Sequence, residues 1–342
     1  MNKIASYRQD IERILLRYVL PLFIAGSLMG WVLKDMSLEE MWQRVTAANP
    51  YWVGVTVVIA LLSHVSRAYR WNLLLEPLGY KPGIKNTTIA VLSGYFGNIF
   101  VPRGGEVVRC MVLNRTNKIP VTTGFATVIA ERAFDLLCLF ILIFFSFVVE
   151  YKRFWALIDK MKEVKKTSAK SLGNSFEFYA FIGMGMITLL LFIYILRRSM
   201  FMRKVKEFLM KLISEAILSF KSLKRRNEFL LHTAIIWIGY FLMTYLIFFS
   251  LPSTSHLGPL AGLVILIIGG LGMSAPASGG IGAFHIMVAN GLTLFYGLSS
   301  KDGITYAFVL HTSQLFTIFF FGGLSLIVSF FINPDSEKNN SV

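Results

Sequence analysis

G-Y-F-G-N-I-F-V-P-R-G-G-E-V-V-R, from Gly94 to Arg109, is the stretch on which the fold turns. It closes an apolar run over residues 87–101, about 15 residues and too short to cross roughly 30 Å of hydrocarbon as a helix. Pro102 and the glycines behind it stop that helix, and Arg103, Glu106 and Arg109 follow at once. A helix broken at membrane depth is tolerated only where its freed backbone is buried in protein or lines a watery cavity. Residues 86–118 therefore read as a hairpin that dips into the membrane and returns to its own side. A second break, P-A-S-G-G from Pro276 to Gly280, makes residues 259–299 another.

Around these hairpins lie longer apolar runs at residues 14–33, 51–75, 121–149, 177–196, 229–250 and 303–332. They predict an all-α polytopic membrane protein with six full spans and two re-entrant hairpins. It forms a single transmembrane domain over residues 1–332 with a short polar tail at 333–342. The composition agrees: 55% of the 342 residues are apolar and 15% charged, against roughly 25% charged in a soluble domain. Disordered, coiled-coil and secreted disulfide classes are excluded. Cys110 and Cys138 offer neither a disulfide framework nor a metal site. The net charge of +15 would point to nucleic acid in a soluble chain. Here the basic residues cluster between apolar runs, where retention of cytoplasmic loops and anionic headgroups account for them. The first apolar run is too long for a cleaved leader and lacks an A-x-A-like exit.

With the N-terminus inside, 23 Lys and Arg fall on inside segments and ten on outside ones, while Arg132 lies within a span. The bias places both termini in the cytoplasm, the protein being integral to the plasma membrane. The loop 150–176, with seven of the ten outside residues, runs against it. In this topology residues 13–149 read as span, span, hairpin, span starting inside, and residues 177–332 repeat the series starting outside. The halves are then inverted repeats. A short echo agrees: Gly94 and Gly97 match Gly269 and Gly272, and with a one-residue shift Pro102, Gly104 and Gly105 match Pro276, Gly279 and Gly280. Broken helices at corresponding places in inverted halves mark the central site of a transporter.

Charge at membrane depth is the sharpest chemical signal. Glu131 lies ten residues past Val121, some 15 Å along a helix, with Arg132 and Asp135 close behind. Left unpaired, the three would cost about 8–10 kcal/mol, comparable to the net stability of a whole fold. They must pair or face water. Glu131 and Asp135, four apart, share a helical face, and Arg132 sits about 100° round. Their expected partners are Arg103, Glu106 and Arg109, and the six charges sum to zero. As a structural ion network they pin the hairpin and bind nothing. As a binding site, the helix opening after Pro102 and the arginines attract phosphate oxygens, while Glu106, Glu131 or Asp135 takes a headgroup amine or a proton. A zwitterionic or aminoacylated phospholipid carries that pair of charges.

In the second hairpin Ser278, Gly279, Gly280 and Gly282 supply adaptable backbone, and His285 opens the returning helix as either a satisfied interior residue or a proton carrier. Ser63, His64, Arg67, His311 and Gln314 are polar at depth and suit interhelical hydrogen bonds. Ten basic residues between Arg197 and Arg226, interleaved with Phe and Leu, suit an amphipathic segment on an anionic leaflet.

N-x-x-x-P-R-G-G-E-V-V-R from Asn98 to Arg109, I-A-E-R-A-F-D from Ile129 to Asp135 and P-A-S-G-G-I-G-A-F-H from Pro276 to His285 occur in that order. With these motifs the chain resembles the flippase-like domain of lysylphosphatidylglycerol synthases, over nearly its whole length. The resemblance implies that Pro102, Gly105, Glu106, Arg109, Glu131, Arg132 and Asp135 line a lipid path. Where that family often has an acidic residue, this chain has Ala283, Phe284 and His285. From Asn333 onward ten residues remain, so a stand-alone domain without the aminoacyl-transferring part is expected.

The expected function is translocation of a phospholipid or lipid-linked headgroup through a polar groove between the hairpins. The groove's residues are those seven with Asn98, Arg103, Ser278, Gly279, Gly280 and His285. No catalytic residue, cofactor or metal is expected, nucleic acid is not a partner, and no nucleotide-binding G-x-x-x-x-G-K-[ST] occurs. Two other classes stay open. One is a membrane-embedded enzyme on a lipid-linked substrate, using Ser278 with His285 or His311, or the loop carboxylates Asp35, Glu39 and Glu40. The other is a non-transporting scaffold.

Overall fold

A computed structural model describes residues 20–34, 36–101, 104–153, 155, 221–275 and 277–332. Pro102, Arg103, Asp35, Pro276, the run 177–196, most of the loop 150–176, the basic segment as far as residue 220 and the tail 333–342 lie outside the described residues. The chain is all helical there: α1 (Leu20–Leu33), α2 (Leu38–Thr46), α3 (Pro50–Leu75), α4 (Ile84–Phe100), α5 (Gly105–Asn117), α6 (Val121–Val149), α7 (Arg226–Ile247), α8 (Pro259–Met273), α9 (Ala283–Tyr296), α10 (Ser300–Thr317) and α11 (Gly323–Phe331). A π-helical turn, Ile318–Gly322, joins the last two where they cross α4. Local chemistry sets several starts: Asn49 caps α3 ahead of Pro50, and Ser37 and Ser299 accept backbone N–H groups of Glu40 and Asp302.

Five runs are long and apolar enough to cross a bilayer: Pro50–Leu78, Val121–Val149, Arg226–Ser250, Ser278–Tyr296 and Ser300–Phe331. Their outward faces fit. On α6, Phe140, Ile141 and Phe144 are 58–71% exposed, an apolar surface that water does not tolerate at this size and lipid does.

End contacts fix the directions of the helices. Ser66 near the end of α3 bonds His232 near the start of α7 at 2.8 Å, and the Asn49 N–H donates to the Ser250 carbonyl at 2.8 Å at the opposite end. The two helices, packed along their length, are thus antiparallel. We call the end where α3 finishes proximal and the other distal. Arg115 near the end of α5 donates to the Phe330 carbonyl at 2.9 Å, so the first hairpin, α4 and α5, has its base beside the end of α11. Arg153 beyond α6 lies over Tyr296 at 4.7 Å, and so the second hairpin, α8 and α9, has its base at the distal end. There α2 docks on the start of α10 through Lys301–Glu40 at 2.8 Å and Arg44–Asp302 at 3.1 Å. The hairpins therefore enter from opposite ends, and α4 touches the turn Ser278–Gly280 where they meet. With its preceding turn α9 reaches a crossing length, yet the helix proper has 14 residues and ends at the end where α8 begins.

Glycine makes both hairpins tight. A Cβ on Gly94 would sit 2.8 Å from the Gly105 carbonyl oxygen and from Arg109 Cβ, so α4 and α5 touch backbone to backbone. On α8, Gly272 likewise meets the Phe284 backbone of α9, and Gly269 its ring.

Candidate functional site

Seven charged side chains converge where α3, α5 and α6 cross. From α6, Glu131 is fully buried and Asp135 nearly so. Arg67 of α3 donates to Glu131 and, at 2.9 Å, to Asp135; Arg70, one turn on, reaches Asp135 at 2.7 Å and Glu131 at 3.3 Å. Arg109 of α5 contacts Glu131 at 3.0 Å and Glu106 at 3.3 Å. Arg132 closes the ring, 3.0 Å from Glu106 and 3.4 Å from Asp135. Around it Tyr240 accepts from Arg67 at 2.8 Å and Thr233 from Arg70 at 3.2 Å. Trp71 lies 4.5 Å beneath the Arg109 guanidinium, its indole N–H held by Thr127 at 2.8 Å.

Each buried carboxylate accepts from at least two guanidinium groups, the condition under which charge survives burial. Four guanidinium groups and three carboxylates leave one positive charge among the described residues, in place of the neutral set expected when Arg103 was counted and Arg67 and Arg70 were not. Arg67 and Arg70 lie on the last turns of α3, which pass under α6 and α7, so both guanidinium groups reach Glu131 and Asp135. Spacing of three residues on an apolar helix was the available signal. Trp71, Tyr240 and Thr233 gave none.

Beside the ring is a small open cleft, walled by Gly94, Tyr95 and Asn98 of α4, Gly105, Glu106 and Arg109 of α5, and Arg132 of α6. Asn98 accepts the Gly105 N–H at 2.8 Å, which ties the two hairpin arms together across the break. The side chains of Arg67, Arg70 and Arg109 are at most 3% exposed, whereas Arg132 is 39% and Glu106 22% exposed. The arrangement can hold a polar group of either sign at Arg132 and Glu106 while the inner charges stay paired.

The second hairpin stands apart. Ser278, Gly279 and Gly280 form its tip, where Gly279, Gly280 and Gly282 adopt positive φ that other residues rarely take. His311 donates to the Gly279 carbonyl at 3.0 Å, and the Gly282 N–H donates to His285 Nδ1 at 3.3 Å. His285 packs on Phe308 and is 2% exposed. Its polar groups serve the turn itself, and none of these residues reaches the cleft. The groove expected between the two hairpins lies instead within the first, against α6.

Comparison with known proteins supports the same grouping. A 124-residue stretch is 31% identical to UPF0104 membrane protein MJ1595 of Methanocaldococcus jannaschii, covering 35% of this chain and 36% of that one. Another of 134 residues is 23% identical to a UPF0104 membrane protein of Methanothermobacter thermautotrophicus, over 39% and 36% of the two chains. A third, 91 residues at 36% identity, matches Glycosyltransferase AglD of Haloferax volcanii, over 26% of this chain and 15% of that protein. The chain thus spans little more than a third of the UPF0104 relatives it matches. The model of one family covers residues 18–322. From the hairpins, the buried charges and this match together, the chain belongs to the lysylphosphatidylglycerol synthase TM region family.

Proposed function

We propose that the chain is a lipid translocase, moving the polar headgroup of a phospholipid or lipid-linked molecule past the Glu106–Arg132 cleft while its tails stay in the bilayer. One observation carries the reading: a ring of seven charges whose two most exposed members face a cleft some 15 Å along α6 from its proximal end. A purely structural network has no need of a cleft at that depth. Hairpins from opposite ends suit alternating access by rocking of one half against the other. The basic bias puts the proximal end in the cytoplasm, and we assign the protein to the plasma membrane on that basis. Within this reading the chain performs no catalysis. Ser278 Oγ is buried without a hydrogen-bond partner, so the Ser–His pairing a hydrolase needs is not assembled, and Glu40 is tied to Lys301 and Arg44.

The test is reconstitution in liposomes with a fluorescent phospholipid whose outer-leaflet signal is quenched from outside. Wild type is expected to speed leaflet exchange, and Arg132→Gln to reduce it at least about ten-fold with insertion unchanged. Equal movement by wild type, Arg132→Gln and protein-free liposomes would overturn the proposal. Release of a soluble product without leaflet exchange would favour an enzyme.

A further inference from the structure

We infer that the Glu106–Arg132 ion pair is exchangeable: a phosphate oxyanion takes the place of Glu106 on the Arg132 guanidinium, and Arg132 is the residue that selects it. This deepens the translocase reading and rests on it for the identity of the site.

The four arginines of the ring divide sharply. Arg67 and Arg70 are each shared between Glu131 and Asp135, and Arg67 is also tied to Tyr240. Arg109 is clamped between the Trp71 ring and Glu131, and Trp71 is itself fixed by Thr127. An anion reaching these three would have to displace a carboxylate with no water to receive it. Arg132 differs in each respect. It is 39% exposed, its nearest carboxylate is the part-exposed Glu106 at 3.0 Å, and its other contacts are long, 3.4 Å to Asp135 and 3.9 Å to Glu131. Glu106 borders the cleft, so it is the partner of Arg132 that can turn aside while Arg132 keeps its longer contacts to Asp135 and Glu131.

Charge and shape name the ligand. The ring's excess positive charge favours an anion. Once Glu106 turns aside, the planar guanidinium can offer the edge that faced it to two oxygens of one phosphate side by side. Asn98, whose carbonyl is engaged by the Gly105 N–H, leaves its NH₂ as a further donor on the same wall. Glu106 is at once the competitor, turned aside when the phosphate arrives, and, beside Arg109–Glu131, part of an ion pair between the first hairpin and α6. Binding therefore removes one ion pair between the hairpin and α6, while Arg109–Glu131, one turn further along α5, stays in place.

Binding constants of the full chain in detergent test this by native mass spectrometry, with short-chain phosphatidylglycerol as probe and diacylglycerol as the phosphate-free control. Wild type is expected to bind the phospholipid and not diacylglycerol. Arg132→Gln should weaken binding at least about five-fold, and Glu106→Gln, by removing the competitor, should tighten it by about five-fold. A gain of affinity cannot come from misfolding, so Glu106→Gln keeps the test decisive even where Arg132→Gln folds poorly. Competition by glycerol phosphate supports exchange with the oxyanion alone as ligand. Binding of the lipid without such competition supports exchange with the lipid as source. Glu106→Gln that binds no more tightly than wild type, or Arg132→Gln that binds equally well, overturns the inference. Lipid that binds with this signature but does not cross refutes translocation and leaves the exchange standing; lipid that crosses without the Glu106→Gln gain does the reverse.

Discussion

Replacing Glu131 with glutamine probes the centre of the ring without changing its shape. Glu131 Oε1 accepts from Arg67 and lies 3.3 Å from Arg70, and Oε2 accepts from Arg109 at 3.0 Å. Whichever oxygen becomes the glutamine NH₂ meets a guanidinium donor, so a strong acceptor contact turns into donor facing donor. Asp135 and Glu106 then stand alone against four guanidinium groups, at a site with no exposed surface on Glu131. Removing one partner from a buried ion cluster costs about 3–5 kcal/mol, a loss of roughly a hundred- to several-thousand-fold in the folding equilibrium. Equilibrium unfolding in mixed micelles with rising sodium dodecyl sulfate, followed by circular dichroism, reads this directly. The exposed Glu39→Gln serves as control and should change stability by no more than about 0.5 kcal/mol. Should Glu131→Gln unfold at the same denaturant fraction as Glu39→Gln, Glu131 is not the hub described above and the ring's energetics are wrong.

Other perturbations test neighbouring contacts. Gly105→Ala drives a Cβ into the Gly94 carbonyl, so the hairpin arms should separate and the expressed protein fail to reach a monodisperse peak in detergent; wild-type behaviour would contradict the backbone contact. Thr127→Val strands the buried Trp71 indole N–H and should cost about 1–3 kcal/mol in the same unfolding assay. At the distal surface the hydrogen bond from Lys301 holds the Glu40 carboxyl below its ordinary value of 4.5. Because the folded-state value is the depressed one, the α2–α10 contact is complete above about 4.5 and is lost as pH falls through that lowered value. Spin labels at Gln43 and Ser299 should accordingly give a narrow distance distribution at neutral pH that broadens in stronger acid, and Lys301→Met should abolish the transition.

How far the sequence foretold all this depends on the kind of signal. Pro102, Pro276 and their glycines interrupt apolar runs, and such breaks are local, so both hairpins were legible. Glu131, Arg132 and Asp135 stood out because unpaired charge inside an apolar run is too costly to be accidental. Their main partners were legible only in part. Arg67 stood out as polar at depth and Arg70 did not, and neither was matched to α6, because which helices cross is set by packing between residues more than sixty apart in sequence. His285 had the opposite fate: a lone titratable side chain at a helix start looked like chemistry, and its ring closes the turn at Gly282. The cleft's position was unreadable because it depends on which faces of α4 and α6 meet, a matter of tertiary packing.

The opposed entry of the hairpins, on which the buried ring and its cleft depend, is open to one direct measurement. Single cysteines at Lys85, at the start of α4, and at Ser300, just past α9, would be placed in a background with Cys110 and Cys138 changed to alanine. Each is then labelled with a membrane-impermeant maleimide on intact and on opened cells. Cysteine at Ser300 should react in intact cells, and cysteine at Lys85 only after opening. Reaction of both from the same side would contradict the fold and the translocation route built on it.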